Sequence, residues 1–414
     1  MNNLYIILIN DNVIRSTLEE LASRTQATYW LVTSPHYLAR LSDRHQAIFS
    51  RIIEHDDFAT ESLVETLAPK LSAEAYDNVR FLTNDESCDQ ICVDLQEHFS
   101  GRPIWTHDQV LPCVNKLVSK DKLAKSGIRL PRYVHFDKQR YDRERRAYCA
   151  EIAAYIGFPL ISKPVDRYAS MDVKRHENLL EFMLWAAWCS SPKDRNTYEV
   201  DEFIDGELFN CDSLIQDGRV IWSNVCRNVN PCLQFAAGRP IGAVTIPSEC
   251  PEAIAVRQLN ATTIAALDPP DGATHLECFR TATGELVFLE LSARPPGGDL
   301  VGLYEYCFGF DMDVAHFMLR AGEPYRLELR KTPRYAGWAI YPRHQGLIES
   351  IHLPAFESRN RVKLNVSVGD QIATGSRHIV DEPAAEFWLY SEDYSQIERD
   401  SRALKELQLC EMAA

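Results

Sequence analysis

The sequence of 414 residues lacks several features that mark whole classes of protein. Its twelve cysteines include no C-x-x-C pair, so they indicate neither a zinc site nor a disulfide framework. No stretch approaches the roughly 20 apolar residues of a membrane helix. The first residues, Met1 to Asp11, carry no basic leader and only a short apolar run. We therefore expect reduced, mostly buried thiols in a cytoplasmic protein without a membrane partner.

Positive charge is also scarce, because 44 Lys and Arg residues stand against 59 Asp and Glu residues, a formal net charge of −15. This balance argues against binding to nucleic acid or to anionic membranes. It leaves room for an anionic small molecule, because a few lysines can dominate one cleft. The length predicts two to four packed units, and a hydrophobic content of 45% is typical of globular proteins.

Short apolar runs alternate with helical patterns in the first part of the chain. Strands are predicted at 4–9, 27–33 and 79–83, and helical segments at 14–22, 62–71 and 88–98. This alternation predicts a parallel sheet in a doubly wound N-terminal unit, which we take as 1–112. No G-x-G-x-x-G follows the first strand, so we assign this unit no dinucleotide.

The remaining chain mixes helices and strands without an internal repeat. The predicted helices are at 115–125, 142–155, 177–188, 300–321 and 394–408, and the predicted strands or strand-rich segments are at 133–136, 159–163, 198–291 and after 324. Gly127 and Pro131 indicate where the first of these helices ends.

The segment 275–294 holds the most informative pattern. Two apolar-rich runs flank a Thr-Gly turn at 283–284, which predicts a β-hairpin. If the turn is centred between that Thr and Gly, Glu277 lies directly opposite Glu290. Two facing carboxylates repel each other, and a cation between them explains the arrangement.

Magnesium, or manganese in its place, suits this arrangement because it takes a few hard oxygen ligands from protein and the rest from water and phosphate. Side chains alternate along a strand, so Ser292 and Arg294 share the face of Glu290, where Arg294 can contact a phosphate or a carboxylate. The alternative for the glutamate pair is a solvated sheet face with scattered charges. With Arg294 and the following loop included, we favour a metal and anion site.

That loop reads Arg-Pro-Pro-Gly-Gly-Asp from Arg294 to Asp299. Paired glycines allow backbone amides to approach an anion, and the helix that follows adds a favourable dipole. Gly297 and Gly298 are therefore candidate anion contacts. The same string alone would be an ordinary turn, and only its position after the carboxylate strand gives it weight.

These motifs together resemble the metal-binding core of ATP-grasp enzymes, and more narrowly the carboxylate–amine ligases that include the L-amino acid (dipeptide) ligases. The pattern is H-L-E, a hairpin, F-L-E-L-S-A-R and then P-G-G, and the similarity covers roughly 116–322. The resemblance implies an α/β fold with four parts. These are a Rossmann-like pre-ATP-grasp domain at 1–112, a small lobe with a linking helix at 113–200, a large lobe with the metal and substrate site at 201–325, and a β-rich domain at 326–414.

The resemblance also implies which residues bind ATP. Lys116, eleven residues before the Gly-Ile-x-x-Pro segment that starts at Gly127, and Lys163, at the end of an apolar strand, are expected to hold phosphates. The adenine is expected at the backbone of Glu202, Phe203 and Ile204. Taken alone, a lysine on a helix is usually a solvated charge, and Lys163 either extends to solvent or meets a buried anion. Lys120 is close enough in sequence to be confused with Lys116.

Two departures from the family pattern stand out. The loop that covers the phosphates, 166–173, contains no glycine here, although Ser170 retains a hydroxyl for a phosphate. Ser292 stands where many members have an asparagine as a third metal ligand, and a hydroxyl binds magnesium weakly. We interpret both as subfamily variation.

The implied reaction is ATP-dependent activation of a carboxylate as an acyl phosphate, followed by attack of an amine, with release of ADP and phosphate. In this scheme Arg294 and the amides of Gly297 and Gly298 act on the acyl phosphate. An amide or dipeptide formed from amino acids in a biosynthetic reaction is the expected product. The substrate side chains and the pathway stay open, and the candidates for the substrate pocket are Asp212, Arg227, Asn228, Phe235 and Trp338.

Three alternatives keep other classes in view. The first is a ligase of the same fold that uses a carrier-protein thiol or bicarbonate. The second is a non-catalytic nucleotide-binding regulator, which would explain the loop without glycine. The third is adenylation, which would release AMP. A homodimer is the usual expectation for an enzyme of this size.

Overall fold

A computed structural model describes residues 2–10, 14–16, 18–101, 103–378 and 381–413. The first unit is a four-stranded parallel sheet with strand order β3-β2-β1-β4. Its strands are β1 (Asn3–Ile9), β2 (Thr28–Thr33), β3 (Arg51–Glu54) and β4 (Asn78–Leu82). The predicted doubly wound parallel sheet is confirmed. The pattern missed β3, whose four residues contain only two apolar side chains.

The helices of this unit cover both the predicted and some unpredicted segments. They are α1 (Glu19–Thr25), α2 (Pro35–Leu38), α3 (Asp43–Gln46), α4 (Thr60–Ser72) and α5 (Asp89–Ser100). The last two match the predictions to within two residues. The helical segment expected at 14–22 is displaced, because the helix begins only at Glu19.

The next unit packs three helices and an antiparallel sheet of order β5-β8-β6-β7 around an aromatic core. Its elements are α6 (His107–Val114), α7 (Lys116–Leu123), β5 (Tyr133–His135), α8 (Lys138–Glu144), α9 (Arg146–Ile156), β6 (Leu160–Pro164), β7 (Lys174–His176), α10 (Leu179–Cys189) and β8 (Tyr198–Glu202). The single helix predicted at 142–155 is wrong. Arg145 has φ 41°, so it separates two helices.

The second lobe contributes strands to an eight-stranded sheet of order β13-β12-β9-β10-β11-β14-β18-β16. Its elements are β9 (Gly206–Gln216), β10 (Arg219–Asn228), β11 (Ile241–Thr245), α11 (Pro251–Leu267), β12 (Gly272–Thr281), β13 (Leu286–Ser292), α12 (Leu300–Phe308) and α13 (Met312–Arg320). The strand-rich prediction for 198–291 missed α11. The helical stretch at 300–321 is two helices, because Gly309 has φ 84° and Asp311 caps the second.

The last part of the chain continues the same sheet. Its elements are β14 (Tyr335–Tyr341), β15 (Gly346–Ile351), β16 (Arg359–Leu364), β17 (Gln371–Ile372), β18 (Ala385–Ser391), α14 (Tyr394–Glu406) and β19 (Cys410–Met412). Three of these strands extend the large sheet, and a separate sheet has the order β17-β15-β19. The predicted domain boundary near 325 therefore divides strands that belong to one sheet. The four domain ranges stay a proposal.

Burial agrees with the composition. Ten of the twelve cysteines are buried and all twelve are free thiols, as expected from their spacing. Among the residues that the structure describes, no helix has both the length and the apolar character needed to cross a membrane.

His316 on α13 joins the N-terminal unit to the large sheet. Its Nδ1 accepts a hydrogen bond of 3.0 Å from the backbone N–H of Ala273, and its Nε2 lies 2.8 Å from the carbonyl oxygen of Thr83. A ring that accepts at Nδ1 and donates at Nε2 is neutral. Burial, with a smaller contribution from Arg320, lowers the pKa of His316 to about 3.

We predict that His316 makes the fold sensitive to acid. Its folded pKa lies below its ordinary value, so the unfolded chain binds the proton first, and the stability present above about pH 6.5 is lost as the pH falls towards 3. This group should steepen the fall in unfolding free energy by up to about 1.4 kcal/mol per pH unit. Urea unfolding of the wild type and His316→Gln between about pH 5 and pH 7 measures this slope. The variant should be less stable at neutral pH and lose that part of the slope, whereas substitution of the exposed His36 should not change it. An unchanged slope in His316→Gln would contradict the assignment.

Candidate active site

The β12–β13 hairpin places Glu277 directly opposite Glu290, as the sequence predicted. The turn itself is one residue out of the predicted register, because Arg280 pairs with Leu286. A β-bulge at Leu289 supplies the extra residue that restores the glutamate pairing. The predicted partners are therefore confirmed, although the assumed turn centre is wrong.

Each glutamate of the pair has a cationic neighbour. Glu290 Oε2 lies 3.2 Å from Lys116 Nζ, and Glu277 Oε1 lies 3.5 Å from His275 Nε2. Burial would raise the pKa of Glu290, but Lys116 and Lys163 outweigh it and lower that pKa. Both carboxylates are thus partly buried and compensated by groups from outside the pair.

His275 contacts a buried acid, Asp212. Its Nδ1 lies 2.6 Å from Asp212 Oδ1, and Asp212 also accepts hydrogen bonds from Asn210 Nδ2 and from the hydroxyl of Tyr304. Burial lowers the pKa of His275, but Asp212 and Glu277 outweigh it and raise the pKa to about 10. Asp212 therefore supports His275 from within the core, and its place in a substrate pocket stays a prediction.

Lys116 begins α7, where the Asn115 side chain caps the helix by accepting from the N–H groups of Leu117 and Val118. Besides Glu290, Lys116 Nζ contacts the carbonyl oxygen of Arg167 at 2.6 Å. This contact ties the helix start to the loop 166–173. The predicted lysine is therefore at the carboxylate hairpin.

Lys163 ends β6 and meets two acids of the neighbouring strand. Its Nζ lies 2.9 Å from Asp201 Oδ2 and 3.3 Å from Glu199 Oε1. Burial would lower the pKa of Lys163, but these carboxylates outweigh it and raise that pKa. The sequence left open whether Lys163 extends to solvent or meets a buried anion, and the structure shows that it meets buried anions. Neither acid was among the predicted site residues.

A cavity of about 400 Å³ lies between the small-lobe sheet and the carboxylate hairpin. Its walls include seven of the residues that the sequence predicted: Lys116, Lys163, Ser170, Glu202, Phe203, Ile204 and Glu290. Apolar side chains such as Ile161 and Phe288 line the rest. A cavity with an apolar part and two lysines beside a carboxylate can hold both a flat base and an anion.

The loop 166–173 adopts its shape without glycine. Ala169, Ser170 and Asp172 have φ values of 55°, 55° and 58°. Such left-handed backbone costs roughly 1–2 kcal/mol per residue for a side chain with a Cβ. Ser170 nevertheless lines the cavity, and the contact of its hydroxyl with a phosphate stays a prediction.

Ser292 and Arg294 contact the N-terminal unit through Glu86. Ser292 Oγ donates to Glu86 Oε2 at 2.7 Å, and Arg294 Nε lies 3.4 Å from the same oxygen. Glu86 follows β4, and the sequence analysis missed it. The carboxyl edge of a parallel sheet is where ligand-contacting loops occur, which was the available signal. Ser292 is thus engaged by Glu86, and its role as a metal ligand stays a prediction.

Gly298 and Gly297 differ sharply in what their surroundings permit. Gly298 has φ 64°, and a Cβ there would stand 2.4 Å from Trp338 Cζ3. A Cβ on Gly297 would meet no atom within 4 Å. The loop therefore requires glycine at the second position only.

We predict that Gly298→Ala lowers the free energy of unfolding by about 2–3 kcal/mol, through the left-handed backbone and the contact with Trp338. Gly297→Ala is the matched control, and we expect it to change the stability by less than about 0.5 kcal/mol. Thermal unfolding of both variants measures the difference. Equal melting temperatures would show that the Trp338 contact does not constrain the loop.

The two lobes, with a cavity between them and paired carboxylates on a hairpin at its edge, make up the ATP-grasp fold that the motifs predicted. Solved structures support this. An L-amino acid ligase from Bacillus licheniformis superposes with a TM-score of 0.72 at 17% identity over 100% of this chain and 99% of that chain. Carboxyaminoimidazole ribonucleotide synthase from Aspergillus clavatus, complexed with ATP, gives a TM-score of 0.67 at 13% identity over 97% of each chain.

Comparison by sequence is more limited. No protein-family model matches the chain. An L-arginine-specific L-amino acid ligase from Bacillus subtilis is 23% identical over 251 residues, which span 58% of this chain and 58% of that protein. The resemblance to L-amino acid ligases that the motifs predicted is confirmed at this level.

Proposed function

We propose that the protein is an ATP-dependent carboxylate–amine ligase that forms an amide or dipeptide from amino-acid substrates and releases ADP and phosphate. The observation that carries this proposal is the position of Glu290. It faces Glu277 on the hairpin, contacts Lys116 and lines the cavity that also contains Lys163. The similarity to two L-amino acid ligases favours amino acids as substrates.

The donor set fits a magnesium ion. Within the described ranges, no group of three or more His, Cys, Asp or Glu side chains could hold a metal ion by itself. Magnesium bound with nucleotide needs only one or two carboxylates, and Glu277 and Glu290 provide them. When bound there, it would supply the positive charge that neutralises phosphate oxygens. Manganese is the other candidate.

The chain's own residues have distinct tasks in this scheme. The backbone of Glu202 to Ile204 binds the adenine, while Lys163 and Lys116 hold phosphates. Positioning and charge neutralisation provide most of the rate enhancement in phosphoryl transfer. Lys116 exchanges its contact with Glu290 for a phosphate contact when the nucleotide enters.

Arg294 acts on the carboxylate substrate in both halves of the reaction. Its guanidinium can bind the planar carboxylate of the substrate and then the acyl phosphate formed from it. The Gly297 and Gly298 amides stabilise the oxyanion that develops when the amine attacks. Glu86, which already holds Arg294 and Ser292, keeps this group oriented from the N-terminal unit.

The central test is Glu290→Gln. Loss of one carboxylate charge should weaken the binding of magnesium, whose charge neutralises the phosphates. We therefore expect the rate of ADP release to fall by about 100-fold or more. Glu285→Gln, on the exposed tip of the same hairpin, is the matched control and should retain nearly full activity. ADP and phosphate are measured while pairs of amino acids are screened, and mass spectrometry identifies the product.

The results of the same screen separate the other functions. Near-normal ADP release by Glu290→Gln would remove the metal assignment. Pyrophosphate instead of phosphate would indicate adenylation. ATP binding without turnover by any amino-acid pair or thiol would favour a regulatory protein, for which the loop 166–173 without glycine is the supporting observation.

A further inference from the structure

Lys120 is completely buried one helical turn after Lys116 on α7. Its Nζ donates to Glu199 Oε2 at 2.9 Å and to both oxygens of Asp201 at 2.7 Å and 2.6 Å. All three N–H groups of the ammonium are therefore used. Lys120 does not line the cavity, so it has no donor left for a ligand.

Glu199 and Asp201 are shared with Lys163, which does line the cavity. Lys120 donates hydrogen bonds to three of the four carboxylate oxygens, whereas Glu199 Oε1 makes no hydrogen bond and lies 3.3 Å from Lys163 Nζ. The two lysines and two acids form a buried group whose formal charges cancel. We refer to these four residues as the buried charge cluster.

The order of the cluster matters for an anionic ligand. Lys163 and Asp201 both line the cavity, whereas Lys120 and Glu199 do not. Without Lys120, two carboxylates would face Lys163 alone, and the cluster would carry one net negative charge beside the cavity. Burial would raise the pKa of Asp201, but Lys120 and Lys163 outweigh it and lower that pKa, so the acid is charged.

We propose that Lys120 is a positioning residue for nucleotide binding: by neutralising Glu199 and Asp201 it leaves the charge of Lys163 available to the phosphates of the nucleotide. This inference rests on the proposed binding of ATP in the cavity. Because the cluster is buried, its field on the phosphates is weakly screened by water and salt. Lys120 thus affects ATP without touching it.

The test measures the dissociation constants of ATP and of adenosine for the full-length protein by titration calorimetry. In Lys120→Met the net charge of the cluster becomes −1, and we expect ATP to bind about tenfold more weakly or worse, while adenosine binding is unchanged. Lys122→Met, at an exposed position of the same helix, is the matched control and should leave both affinities unchanged.

Glu199→Gln changes the net charge of the buried charge cluster in the opposite direction. The cluster then carries one net positive charge, and we expect ATP to bind several-fold more tightly, whereas simple damage to the core would weaken it. The double variant K120M/E199Q restores neutrality and should bind ATP within about threefold of the wild type. These two variants also decide the question if Lys120→Met alone does not fold, because removal of one partner leaves a buried charge unpaired.

Three outcomes would overturn the inference. They are equal weakening of ATP and adenosine in Lys120→Met, weaker ATP binding in Glu199→Gln, and failure of K120M/E199Q to recover affinity. A wild-type protein that binds no ATP would instead contradict the proposed function. The two failures are therefore distinguishable.

Discussion

Glu277 and Glu290 face each other across one hairpin, and two like charges at that separation repel unless cations from elsewhere lie beside them. In this protein the cations come from different elements. Lys116 reaches the pair from α7, and His275 reaches it from the same strand with Asp212 behind it. The need to compensate partly buried carboxylates thus determines which elements must meet at the hairpin.

Buried carboxylates also need compensating cations beside Lys163 and near the N-terminal unit. Lys120 and Lys163 compensate two buried acids of β8, and Arg294 lies beside Glu86. Buried ion pairs of this kind often contribute little net stability, because desolvation offsets the attraction. Such pairs fix the position of each charge, and fixed charges are what a site for a polyphosphate requires.

Contacts between distant parts of the chain hold these charges in register. His316 links the end of β4 to β12, Glu86 links the same edge to Ser292, and Trp338 closes against Gly298. Residues separated by more than 200 positions therefore meet around one hairpin. Local sequence pattern contains no information about such pairings, because it reports periodicity along one element only.

The errors of the sequence analysis follow from this limit. The helix Pro251–Leu267 was missed because its Ile, Val and Thr residues are typical of strands, and packing against the sheet overrides that preference. The break at Arg145 and the bulge at Leu289 are single-residue backbone features without a composition signal. Even so, the glutamate pairing was right, because the bulge at Leu289 offsets the one-residue error in the assumed turn centre.

The amino-acid sequence by itself determined the type and order of most elements and the two glutamates of the hairpin, because these depend on local periodicity and short motifs. The other six predicted residues of the cavity came from the resemblance to ATP-grasp enzymes. Only the tertiary structure decided which lysine lines the cavity and which is buried. Lys116 and Lys120 are one turn apart on one helix, yet the first lines the cavity and the second is buried without lining it. That difference is set by what packs against each side of α7, and so by residues far away in the chain.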